Sequence, residues 1–210
     1  MAGPDFSFEA AAMGRGALLV AGVDEVGRGP LAGPVTAAAV ILDPGAIPPG
    51  LNDSKQLTAR ARMVLNDAIL CCAEVSIAHA SVEEIDALNI LRAAHLAMAR
   101  AVAGLCRSPD HVLIDGNLVP RDLTAPAEAI VKGDARSLSI AAASIVAKTC
   151  RDRIMRDLAQ HYPGYGWETN AGYPSKSHKE ALRHLGVTPH HRRSFKPVHN
   201  ILYQDNSLSH

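Results

Sequence analysis

Ala17-Leu-Leu-Val-Ala-Gly-Val-Asp24-Glu25-Val-Gly-Arg-Gly-Pro30 is the stretch that decides the fold. The apolar run Ala17 to Val23 reads as a buried strand, and it runs directly into two acids and a glycine-rich turn. Unpaired charge at the end of a buried run is costly unless metal or hydrogen bonds compensate it. Oxygen ligands imply a hard cation, so Mg²⁺ or Mn²⁺ suits this pair, and the absence of a matching His/Cys set disfavours zinc. Side chains alternate along a strand, so Asp24 and Glu25 share one site only if the strand ends or bulges there, a departure that Gly22 and Gly27 make easy. Gly27-Arg28-Gly29-Pro30 then supplies a turn whose backbone can approach a ligand, with Arg28 as a bidentate donor to phosphate. A nicotinamide-binding turn is excluded because the segment leads into a strand and not a helix.

Moving outward, Gly33 to Leu42 reads as a second strand beside the first. Thr58 is an N-cap for a helix to about Cys71, and Glu74 to Ala80 is a third strand. Ser81-Val-Glu-Glu84 is a capping box that should open one long helix, with Leu88, Leu91, Met98, Val102 and Leu105 as its apolar stripe. His111 to Asp115 and Ala127 to Lys132 are short strands, each followed closely by an acid, Asp115 and Asp134. An alanine-rich helix spans Ser139 to about Gln160, and a short helix lies near His178 to Leu185. The order predicts an α/β fold: a mixed sheet of about five strands flanked by helices, with a mainly helical C-terminal appendage. Ligands of such sheets sit beyond the carboxyl ends of strands, which makes Asp24, Asp115 and Asp134 candidates to converge on one site. The expected organisation is a flexible leader (1–16), a catalytic domain (17–160) and a substrate-binding extension (161–210).

Composition bounds the partners. The 210 residues carry no formal net charge, which argues against coating nucleic acid by bulk electrostatics. From Ala171 onward, however, lie six of the 21 basic residues and only two of the 21 acidic ones, so a basic tail faces an acidic body. No apolar run is long enough for a membrane span, and no secretory leader is visible, so a cytoplasmic location is expected. Four cysteines without a CxxC spacing read as small core residues in a reducing compartment. The histidines at 178, 184, 190, 191 and 199 read as solvated or phosphate-facing, and Asp152, four residues after Lys148, as half of a surface ion pair.

Ala21 to Pro34 closely resembles the ribonuclease HII family. The resemblance continues, in family order, through Leu51-Asn-Asp-Ser-Lys-Gln-Leu57, Glu84 to Ile90, Leu113-Ile-Asp-Gly-Asn117, Val131-Lys-Gly-Asp134, Ala141 to Lys148, Gly172-Tyr-Pro174 and His191-Arg-Arg-Ser-Phe195. It implies that the sheet is ribonuclease H-like and that Asp24, Glu25, Asp115 and Asp134 are the catalytic acids and metal ligands. It further implies that Gly27-Arg28-Gly29 reads the ribose 2′-hydroxyl and adjacent phosphate, that Tyr173 packs on the following sugar, and that Ser54, Lys55, Arg192 and Arg193 contact phosphates. The activity implied is two-metal, in-line hydrolysis of RNA in RNA/DNA hybrids and 5′ of ribonucleotides embedded in duplex DNA, by a monomer, leaving 5′-phosphate and 3′-hydroxyl ends. Two other readings are a non-catalytic binder of hybrids or junctions and a DNA junction nuclease on a similar sheet. A catalytically dead binder should lack one acid, whereas all four are present here.

Overall fold

The computed structural model describes residues 3 to 203, so the last part of the expected 161–210 extension lies outside the described residues. Five strands, β1 (Val20–Val26), β2 (Val35–Ile41), β3 (Glu74–Ala80), β4 (His111–Asp115) and β5 (Ala127–Ile130), form one mixed sheet in the order β3-β2-β1-β4-β5. The β3-β2-β1 side is antiparallel and the β1-β4-β5 side parallel. Among the described residues the helices are α1 (Ser7–Gly14), α2 (Ala59–Cys72), α3 (Val82–Leu88), α4 (Ile90–Ala103), α5 (Leu138–His161), α6 (Trp167–Asn170), α7 (Lys176–Leu185) and α8 (Lys196–Tyr203).

Both faces of the sheet are covered, which is why β2, Val-Thr-Ala-Ala-Ala-Val-Ile, is buried at every position. Alternation divides it cleanly: Ala37 and Ala39 join Ala21, Val23 and Ile114 in a core under α4, while Ala38 and Val40 join Ala142, Ile145 and Val146 of α5 on the opposite face. Alanine dominates both contacts, so the helices lie close to the strands. The closest approach is at Gly22, where a Cβ would collide with backbone atoms of Ser139 and Ile140. That glycine serves helix packing rather than a bulge. Strand β1 keeps regular pairing through Asp24 opposite Ala38 and Glu25 opposite Ala37, and it extends to Val26, beyond the expected end.

The single long helix expected after Ser81 is two helices. The capping box forms as read, with Ser81 Oγ accepting from Glu84 N–H and Glu84 accepting from Ser81 N–H. At Asn89, however, the backbone takes a positive φ (72°) with extended ψ (164°), a strained conformation that breaks the helix, and its side chain caps the next helix by accepting from Leu91 and Arg92. The buried face of α4 consists of Ala93, Ala94, Ala97, Met98, Ala101 and Val102, and Leu91 points outward.

The segment expected to be a flexible leader is also ordered. Helix α1 buries Glu9, whose carboxylate accepts from Ser137 Oγ, Ser139 N–H and Ser139 Oγ at the start of α5. The anion sits where α5 exposes free N–H groups, a favourable place for negative charge. The cysteines are not core residues: Cys71 and Cys106 are exposed, Cys72 and Cys150 partly so, and all four are free thiols. No described helix is long and apolar enough to cross a membrane.

Gly22→Ala should destabilise the protein by about 3 kcal/mol or more, because backbone and not a flexible side chain must move to admit the methyl group. Urea unfolding would measure this, and a loss below about 0.5 kcal/mol would contradict such close packing.

Candidate active site

Parallel pairing of β1 with β4 sets Val23 beside Ile114, so Asp24 and Asp115 follow side by side at the carboxyl ends of adjacent strands. Both leave the sheet on the α5 side, since Val23 and Ile114 face α4. Asp134 arrives differently. Strand β5 stops at Ile130, Lys132 takes a left-handed conformation (φ 56°), and a single 3-10 turn, Gly133–Ala135, carries Asp134 inward. The Gly133 N–H donates to Asp115 Oδ1 at 2.7 Å, tying that turn to β4. Oxygens of Asp24, Asp115 and Asp134 consequently lie within 4.8 Å of one another.

Glu25 is outside this trio. Without a bulge, alternation turns it away from Asp24, and its Oε1 accepts from Arg28 Nη1 at 3.3 Å. Burial pushes the Asp24 carboxyl well above the ordinary range, with Glu25 and Asp115 adding repulsion and the Ser144 hydroxyl opposing it. Glu25 is raised by burial and by Asp115 against the pull of Arg28. Asp134 is raised by burial and Asp115, partly offset by Lys55. Lys55 Nζ donates to Asp134 at 3.2 Å, and although burial opposes it, the charges of Asp134 and Asp53 hold that ammonium above its usual value. One exposed lysine thus faces three carboxylates, an imbalance that a divalent cation would correct.

The turn after β1 is held from below by two buried arginines. Arg151 donates to the carbonyls of Ala32, Pro34 and Ala171. Arg192 donates to those of Gly27, Arg28, Gly33 and Pro34. Burial lowers their pKa values to about 10 and about 9, which still leaves both charged at neutral pH. Gly27 (φ +97°) is required here, since a Cβ would strike the Arg151 side chain. Arg192, expected on a phosphate, has no solvent exposure and is spent on the turn, whereas Arg193 is exposed. The Tyr173 ring lies beside exposed Gly29 and is itself 42% exposed, leaving a face open to a ligand.

Ser54 is buried and accepts from Ser144 Oγ at 2.9 Å, and its carbonyl accepts from Arg62, so it anchors the loop that presents Lys55. Lys148 pairs with Asp152 at 2.6 Å, as read from their spacing. The histidine reading is corrected in part: His178 and His191 are fully buried around Trp167, while His184 and His199 are exposed. Arg151 was legible in principle as a charge within the buried stripe Ala147, Arg151, Met155.

The sequence profile described as Ribonuclease HII matches residues 21–198. A protein named Ribonuclease HII from Ruegeria pomeroyi is 70% identical over 205 residues, covering 98% of this chain and 88% of that one. The ribonuclease H2 structure from Pyrococcus horikoshii OT3 is similar at 29% identity with a TM-score of 0.76, covering 90% of this chain and all of that one. A structure titled Bst-RNase HIII in complex with Mn²⁺ shares the fold at 21% identity, TM-score 0.74, covering 91% of this chain and 71% of that one.

In metal-free protein, carboxylates with raised pKa bind more protons folded than unfolded, so stability is lost as pH rises from the ordinary carboxylate value near 3.8 through the raised values. Asp24→Asn should therefore raise the melting temperature of the metal-free protein at neutral pH by a few degrees, the shift that about 1 kcal/mol produces at this size. The gain should shrink toward pH 4. Calorimetry across pH would show it, and a lower melting temperature at pH 7 would contradict the electrostatic strain.

Proposed function

Because the chain belongs to the ribonuclease HII family, metal-dependent endonucleases that hydrolyse RNA in RNA/DNA hybrids, we propose that it also cuts at single ribonucleotides embedded in duplex DNA. The observation that carries this reading is adjacency: the Asp24, Asp115 and Asp134 trio adjoins the turn Gly27-Arg28-Gly29 and the open face of Tyr173. Cutting and sugar recognition then occupy neighbouring positions, so one ribose suffices to direct the cut.

Asp24, Asp115 and Asp134 are the proposed holders of the divalent cation, Mg²⁺ or Mn²⁺, since the donor set is entirely oxygen. Glu25 is the proposed fourth carboxylate, with Oε1 paired to Arg28 and its second oxygen offered to an ion. The bound ions would activate water and neutralise charge on the phosphoryl oxygens, the basis of a two-metal hydrolysis. The protein supplies the rest. The exposed backbone at Gly29 admits a 2′-hydroxyl, the group that separates RNA from DNA. Arg28, Lys55 and Arg193 are the exposed cations proposed to meet phosphates, and the Tyr173 ring packs on the next sugar. Arg192 serves the same turn from beneath, and Ser54 from behind Lys55.

A duplex with one embedded ribonucleotide, incubated with Mn²⁺ or Mg²⁺, should be nicked on the 5′ side of that residue, and an all-DNA duplex should not. Asp24→Asn should reduce the rate by more than the ~100-fold that losing even an outer partner of a metal ligand costs. Equal nicking of the all-DNA duplex would reject the ribose requirement, and full activity of the variant would reject the site.

A further inference from the structure

Trp167, His178 and His191 form a buried hydrogen-bonded chain that ends on the loop carrying Tyr173. Trp167 Nε1–H can only donate, and it points to His178 Nε2 at 3.0 Å. The Thr188 backbone N–H likewise can only donate, and it points to His191 Nδ1 at 3.0 Å. The Trp167 N–H on one ring nitrogen and the Tyr173 carbonyl on the other determine the His178 tautomer, and the Thr188 N–H, with the Thr188 hydroxyl also 2.9 Å from Nδ1, sets that of His191. His191, accepting at Nδ1, carries its proton on Nε2 and donates to His178 Nε2 at 3.2 Å. The single lone pair of His178 Nε2 is shared by the Trp167 and His191 N–H groups, so its proton is on Nδ1, which lies 2.9 Å from the acceptor-only Tyr173 carbonyl. Burial favours the neutral form of both rings.

The receiving carbonyl belongs to a tightly held loop. Gly172 C=O accepts from Leu31 N–H, and a Cβ on Gly172 would press on the Ala32 carbonyl, so the loop lies against the turn that follows β1. Tyr173 N–H donates to the Asn170 carbonyl, and its own carbonyl also accepts from Ser175 N–H. The His178 Nδ1–H bond therefore comes from outside the loop and fixes the peptide from which the Tyr173 ring projects.

We infer that His178 is a positioning residue for ribonucleotide recognition: its Nδ1–H, fixed in tautomer by Trp167 and His191, sets the Tyr173 backbone and so the placement of the ring beside Gly29. This rests on the proposed role of Tyr173 at the sugar.

The two amide replacements of histidine separate this role from simple packing. Asn places its N–H₂ near the position of Nδ1, and Gln near that of Nε2. His178→Asn should therefore keep the bond to Tyr173 and retain kcat/KM on a singly ribonucleotide-substituted duplex within about twofold, whereas His178→Gln should lose about fivefold or more, the worth of one hydrogen bond. In a Tyr173→Ala background the two should be equal. A packing role predicts the opposite order, since Asn leaves the larger void. Imidazole ¹⁵N spectra of the unaltered protein give a readout independent of folding of the variants: His178 should be protonated at Nδ1 and His191 at Nε2. Protonation of His178 at Nε2, or equal loss in both variants with Tyr173 intact, would overturn the inference alone. A Tyr173→Ala protein with unchanged kcat/KM would overturn the sugar role of Tyr173, and the inference with it.

Discussion

Parallel pairing of β1 and β4 forces two carboxylates together at the end of the sheet, and much of the surrounding structure answers to that repulsion. Asp24 and Asp115 cannot move apart without shifting strands that are buried on both faces. The Gly133 N–H satisfies one oxygen of Asp115, the Glu25 N–H one of Asp24, and Lys55 reaches Asp134. None of these removes the charge. A site under such strain is stabilised by whatever cation it holds, because binding to the folded state alone shifts the folding equilibrium. Metal affinity and metal-free instability are thus two aspects of one arrangement.

The turn after β1 follows a different logic. Its charges are positive, buried and directed at peptide carbonyls, with Arg151 and Arg192 together gripping the backbone from Gly27 to Pro34. A guanidinium presents several donors in a fixed plane, so each arginine locks several carbonyls at once in a segment too irregular for sheet or helix pairing. The turn is preorganised, and the C-terminal segment contributes to it as a foundation as well as a surface. The basic character of that segment is therefore divided between cations that face solvent, such as Arg193, and one that does not.

How much of this was legible follows from the range of each signal. Strand and helix order came from periodicity, and Thr58, Ser81 and Glu84 announced their caps because capping is local chemistry. The acids stood out because they ended apolar runs. The break at Asn89 was missed, since the apolar pattern continues through it and only the backbone angle reveals it. The expected bulge at Asp24-Glu25 was an inference from two glycines whose actual partners, Ser139 and Arg151, lie more than a hundred residues away. The same distance hid Glu9, which meets Ser137 and Ser139. The tautomer chain joins His178 to residues only 11 and 13 positions away, but on short elements and a loop whose fold brings Trp167, His178, Thr188 and His191 together. Contacts of this kind are set by tertiary geometry and leave no pattern along the chain.

The sheet order has a consequence for how the chain emerges during synthesis. β1 can pair with β2 almost at once, but its other neighbour, β4, ends at Asp115, some ninety residues later. Until then β1 presents an open edge that is apolar over Val20 to Val23 and would serve as a template for another nascent strand. Asp24 and Glu25 lie on that same edge, and charges on an exposed strand discourage pairing with foreign chains. Asp24, which ends beside Asp115 and Asp134, begins with Glu25 as a guard on an unfinished border.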